Sequence, residues 1–141
     1  MGGRGRVAGN GSLIRVALGA LAWLLMVPAW ANGPWQVALE TPAEVVAIDR
    51  SSLRRTIDRV SFRERRSMRG GQLDVYSQRP LREVLARRVI DCRTRQMATL
   101  SHAVFSDGDA LIEHWAVRLR DAAWQPVRQD DPVFRQVCGG S

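Results

Sequence analysis

The stretch QMATLSHAVFSDGDALIEHWAV, residues 96–117, carries the strongest structural signal in the chain. An apolar-rich run from Gln96 to Phe105 meets Ser106-Asp107-Gly108-Asp109 and returns as Ala110 to Val117. Asp-Gly between two such runs is the signature of a two-residue hairpin loop, whose central positions both take positive φ. With Asp107 and Gly108 as that loop, Ser106 pairs with Asp109. Val104 then faces Leu111, His102 faces Glu113, Ser101 faces His114 and Leu100 faces Trp115. An antiparallel sheet is the frame that the rest of the chain must join.

Working outward, Trp35–Leu39 and Val45–Ile48 are short apolar segments parted by Thr41-Pro42, where proline removes a ladder donor. They read as two strands or one bent strand. Asp49-Arg50-Ser51-Ser52 reads as a turn, because Asp and Ser side chains bond their own backbone. Ile57–Met68 alternates as a half-buried strand until Gly70-Gly71, and Leu73–Ser77 alternates as another. Leu81, Val84, Leu85 and Val89 have helical spacing, so a short helix or loop is expected first, then a strand from about Arg88. Trp124–Val127 is a last short strand. Asp130-Asp131-Pro132 opens a helix, with an acid as N-cap and proline at the first helical position. Val133, Phe134 and Val137 form its apolar face, and Gly139-Gly140 ends it. The fold class expected is α+β: a small antiparallel sheet with a C-terminal helix tethered by one disulfide.

The first residues read as targeting. Arg4, Arg6 and Arg15 form a basic region, Val16–Val27 is an apolar run of 12 residues, and Ala29-Trp30-Ala31 fits a small-x-small cleavage site. The run is too short to span a bilayer, which takes about 20 apolar residues. The expected division is a signal peptide over 1–31 and a single domain over 32–141. Asn32 and Gly33, not a cysteine, stand immediately after the cut, so no lipid anchor is expected. No later run is long enough to cross a membrane.

Both cysteines, Cys92 and Cys138, lie in the exported part, where an oxidising compartment makes a disulfide the default. Closing a loop of 46 residues stabilises by about 4 kcal/mol in the chain-entropy account. It would pin the C-terminal helix to the strand that holds Cys92.

All 21 basic residues are arginine. Residues 32–49 hold three acids and no arginine, residues 50–95 hold 14 arginines against five acids, and residues 96–141 hold four against six. The middle of the domain is thus a basic block. Arg63, Arg65, Arg66, Arg69, Arg87, Arg88, Arg93 and Arg95 are its candidate anion-binding residues, because the guanidinium fork matches carboxylate, sulfate and phosphate. The bland alternative is a solvated face with no partner.

Several residues then match a known pattern in order. They are Trp35; Ala47-Ile48-Asp49 followed by Ser51, Ser52, Leu53 and Arg54; Tyr76-Ser77; Ile90-Asp91-Cys92 with Arg93 and Arg95; the turn around Gly108; Trp124; and the ending Val137-Cys138-Gly139. On these the chain resembles the surface-adhesin protein E family of small exported proteobacterial domains. The resemblance implies a disulfide-tied antiparallel sheet with a C-terminal helix, surface exposure, and binding to host or matrix proteins.

Other chemistry finds little support. His102, Glu113 and His114 do not make one metal site, since neighbours in a strand point to opposite faces. Ser101 near His114 lacks an orienting acid and an oxyanion hole. Trp35, Trp115 and Trp124 are expected in the core. No enzyme activity and no cofactor are expected. The function expected is a non-enzymatic binding or adhesion domain that engages an anionic or protein ligand through an Arg-rich sheet face. Its partner would be a host or matrix protein, a glycan or an envelope component, with no specific nucleic acid. The alternative is a structural or assembly-associated periplasmic protein. Location is expected to be the periplasm, the cell surface or the medium, and uncapped sheet edges are compatible with a homodimer.

Overall fold

The computed structural model describes residues 2–3 and 33–139. The signal peptide and its cleavage site, expected over 1–31, fall outside the described residues except at positions 2 and 3.

Seven antiparallel strands make one sheet: β1 (Trp35–Glu40), β2 (Glu44–Arg55), β3 (Arg59–Met68), β4 (Leu81–Asp91), β5 (Gln96–Ser106), β6 (Leu111–Ala116) and β7 (Trp124–Pro126). The path runs β1-β2-β3-β4-β5-β6 in chain order, and β7 joins β5 at Gln96–Ala98, beyond the reach of β6. The sheet curls into a half-barrel. One helix, α1 (Pro132–Cys138), follows it. The α+β expectation is therefore corrected: among the described residues strands dominate, and the helical part is one seven-residue helix beside two single 3-10 turns.

Helical spacing misled at β4. Leu81–Asp91 is extended along its whole length, paired with β3 on one side and β5 on the other. Both of its faces carry apolar and basic residues, so the period of two is blurred. Val84, Ala86, Arg88 and Ile90 share one face, while Leu85, Arg87 and Val89 share the other. Ladder bonds on both edges override a weak local preference. Leu73–Ser77 differs in the opposite direction. It is a turn held by Asp74 Oδ2, which accepts from the backbone N–H groups of Tyr76 and Ser77 at 3.2 and 2.6 Å. Only Leu73 bridges, to Pro80.

The quoted hairpin forms, two residues out of the expected register. Asp107–Asp109 is a three-residue 3-10 turn, with positive φ at Gly108 and Asp109 rather than at Asp107. Ser106 N–H donates to Ala110 O at 2.8 Å. Phe105 then faces Leu111, and a bulge brings Val104 opposite Glu113 and His102 opposite Trp115. One residue of the slip comes from the longer loop and one from the bulge.

Ile48, Val60, Phe62 and Ile90 project from β2, β3 and β4 into one core, which Phe134 and Val137 of α1 complete. The helix begins as its sequence requires. Asp131 caps it, with Oδ1 accepting from Val133 N at 2.9 Å and Phe134 N at 3.0 Å, and Pro132 takes the first position. Arg55 Nη2 donates to Val137 O at 2.9 Å, which places a cation on the carbonyls of the helix end. The Cys92–Cys138 disulfide forms, with the two Cα atoms 5.7 Å apart, and ties that end to the turn after β4.

Trp35, Trp115 and Trp124 are not core residues. Trp35 and Trp124 are half-buried under the guanidiniums of Arg65 and Arg59, at 4.5 and 5.2 Å from the ring centres. Trp115 stacks on His102 at 5.5 Å and is 38% exposed. The aromatic faces hold arginines in place instead of filling the interior.

Candidate functional site

The site grows out of a bulge in β2. Asp49-Arg50-Ser51-Ser52 keeps its turn chemistry without reversing the chain. Asp49 Oδ1 accepts from Ser51 N at 2.9 Å, and the Ser52 hydroxyl donates to Asp49 O at 2.6 Å. The same hydroxyl accepts from Arg63 N at 2.8 Å, replacing a lost ladder carbonyl. Four residues, Arg50–Leu53, thus lie between the pairs Asp49–Arg63 and Arg54–Ser61. On the far side of β4, Leu100 is an extra residue in β5 between the pairs Arg87–Ser101 and Arg88–Thr99. The two bulges sit at the same level of the sheet. Bulges bend a strand and re-aim its side chains, and here they open a cleft of about 460 Å³ lined by Ser51, Ser52, Arg54, Ser61, Arg63, Arg87, Arg88 and Leu100, with Phe62 below.

Electrostatics divide these arginines. Arg63 is ion-paired to Asp49, whose side chain is fully buried. Hydrogen bonds from Ser51, and then from Arg63, hold the Asp49 carboxyl below the usual carboxylate range against the opposing effect of burial. Arg88 Nη2 lies 3.1 Å from Glu64 Oε1. Arg54 donates only to the carbonyls of Ser51 and Leu53, at 3.0 and 2.9 Å. Among the described residues Arg87 has no ion pair. It stands directly opposite Arg63 across the β3–β4 ladder, an arrangement that like charge disfavours.

The eight arginines singled out in the sequence do not make one patch. Arg63, Arg65 and Arg87 share a face, with Arg65 fixed on Trp35. Arg66 and Arg88 project from the other face and converge on Glu64, at 3.6 and 3.1 Å. Arg66 also meets Glu44 at 3.4 Å, and Arg69 binds Glu40 at 2.7 Å. Arg93 and Arg95 lie at the disulfide end, where they line a separate cleft of about 830 Å³ with Arg135. Arg93 is 3.3 Å from Asp58 there. Arg54 and Ser61 were missed as site residues. The only sequence signal for Arg54 was its place in the Ser51-Ser52-Leu53-Arg54 motif, and for Ser61 there was none. Ser101 faces Ala116 rather than His114, and His102 faces Trp115 rather than Glu113.

Asp91 and Asp74 are also held below the usual range, chiefly by the backbone N–H groups of Thr94 and Ser77, and Asp130 chiefly by Arg128. Each has a lower folded than unfolded pKa. Their contribution is complete above about pH 4, the unfolded carboxylate range, and is lost as pH falls through the folded values. Thermal unfolding followed from pH 7 to pH 2 should show little carboxylate-linked change above pH 5 and a progressive loss of Tm below pH 4. A Tm that rises on acidification would contradict this linkage.

These features define a class: a small, disulfide-tied antiparallel half-barrel with an arginine-rich cleft opened by paired bulges. Residues 35–139 match the model of the surface-adhesin protein E family, and the chain belongs to that family. It is accordingly an adhesion-type protein of a family that is exported or displayed at the cell surface. No curated protein sequence matches it. Among solved structures it is similar to protein E from non-typeable Haemophilus influenzae, with 13% identity, 69% of this chain and 67% of that one covered, and a TM-score of 0.46. Another structure of Haemophilus influenzae protein E has 14% identity, covers 67% and 79%, and has a TM-score of 0.47. Among the described residues no helix is long and apolar enough to cross a membrane.

Proposed function

We propose that this chain is a non-enzymatic adhesion module that holds sulfated or otherwise polyanionic matrix material through the β3–β4 face, outside the cell rather than as a structural part of the periplasm. The observation that carries this reading is the Arg63–Arg87 pair. Two guanidiniums face each other across neighbouring strands, with one carboxylate, Asp49, beside them. Arg65 extends the row, held over the Trp35 ring. Such a face repels itself when empty and is relieved by an anion. Affinity then comes from many shallow charged contacts, and it weakens as salt screens them.

A heparin column tests the ligand, and intact cells test the place. The purified protein should stay on heparin well above physiological salt, and intact expressing cells should bind fluorescent heparin. Elution at low salt would remove the polyanion reading. Binding that appears only after the outer membrane is opened would put the protein in the periplasm.

A further inference from the structure

We infer that the cleft between the two bulges is a discrete subsite for one tetrahedral oxyanion, the sulfate ester group of a glycan, gripped by Arg54, Arg87 and the Ser61 hydroxyl. The inference rests on the polyanion reading and adds to it a place and a stoichiometry. Four arginines line the cleft. Two of them, Arg63 and Arg88, are engaged by the carboxylates of Asp49 and Glu64. Arg54 and Arg87 have no acidic partner among the described residues, and both are exposed. Ser51 and Ser52 commit their hydroxyls to the Asp49 carboxylate and backbone carbonyl. The Ser61 hydroxyl makes no hydrogen bond among the described residues, and its backbone lies opposite Arg54 in the ladder. Two forked cations and a free hydroxyl on one cleft match an anion with several oxygens.

Charge selects the kind of anion. The carboxylates of Asp49 and Glu64, ion-paired to the lining residues Arg63 and Arg88, oppose a second negative charge. A sulfate monoester carries one negative charge, whereas a phosphate monoester approaches two at neutral pH. Beside the cleft, a second hollow of about 130 Å³ shares Arg63 and Arg87 and is walled by Leu85, Ala103 and His114. It gives the sugar that carries the sulfate an apolar surface to lie on.

Titration calorimetry of the protein, purified as its host processes it, with a simple sulfate monoester, methyl sulfate, and its phosphate counterpart, methyl phosphate, at fixed ionic strength in chloride tests this directly. Methyl sulfate should bind at one saturable site. Arg54→Ala and Arg87→Ala should each weaken it about tenfold or more, and Ser61→Ala by less. All three positions lie outside the core, and removing Arg54 or Arg87 leaves no carboxylate unpaired, so these variants should unfold like the parent. Arg82→Ala, whose guanidinium is near Asp109, should bind methyl sulfate like the parent. Absence of a saturable methyl sulfate site, unchanged binding in both arginine variants, or binding of methyl phosphate alone would each overturn the subsite. Heparin retention separates the two ideas. If retention survives while no sulfate site is found, the subsite falls and the broader polyanion face stands. If a sulfate site is found but heparin elutes at low salt, the reverse holds.

Discussion

Removing the disulfide, by reduction or as Cys92→Ser with Cys138→Ser, should cost about 4 kcal/mol of stability. For a domain of this size that is a fall in Tm of about 15–30 °C. The cost is high because the bond closes a loop of 46 residues and because of what it holds. A seven-residue helix does not persist in water by itself. Here α1 carries Phe134 and Val137 into the core formed by Ile48, Val60, Phe62 and Ile90. Without the bond, the Arg55 contact and the packing of Val133, Phe134 and Val137 remain to keep the helix on the sheet. Thermal unfolding with and without reductant measures the loss, and a Tm within a few degrees of the oxidised protein would refute this account. The β5–β6 hairpin lies away from this end, so strand signal in circular dichroism should outlast the helix on reduction.

Replacing Glu64 by alanine should destabilise by about 3 kcal/mol or more, the cost of leaving a paired charge without its partner. Glu64 is 2% exposed and is ion-paired with Arg88 and Arg66 through one oxygen. Among the described residues its Oε2 and the Nε of Arg88 have no hydrogen-bond partner, so the pair is incompletely satisfied. The corollary distinguishes broken charge from lost packing. The double variant Glu64→Leu with Arg88→Met should recover most of the stability that Glu64→Ala loses, because apolar groups of similar size replace both charges at once. Urea unfolding of the three proteins decides it. A single variant as stable as the parent, or a double variant as damaged as the single, would show that the buried pair is not what holds the strands there.

Much of the architecture was legible because it depends on neighbours in the chain. The Thr41-Pro42 break made a hairpin of β1 and β2, Ser106–Asp109 reversed β5 into β6, and Asp131-Pro132 started α1 where a cap and a ready-made φ belong. The binding face was only half legible. Counting arginines found the basic block, but strand parity then sent Arg65 and Arg66 to opposite faces, and nearby acids neutralised several members of the set. Asp49-Arg50-Ser51-Ser52 shows the limit most clearly. Its hydrogen bonds are those expected of a turn, yet β3 supplies Arg63 N–H to the Ser52 hydroxyl, and the chain continues as a bulged strand.

Local residues by themselves determined the reversal at Ser106–Asp109, the helix cap and, once export is granted, the cysteine pairing, because each is decided by groups a few residues apart or by the only partner available. Tertiary structure alone decided that Leu81–Asp91 is extended from its first residue, that the β5–β6 register lies two residues over, and that Arg54, Ser61 and Arg87 meet in one cleft. Those outcomes depend on ladder bonds and bulges shared between strands distant in the chain, and no single segment contains the energy that selects them.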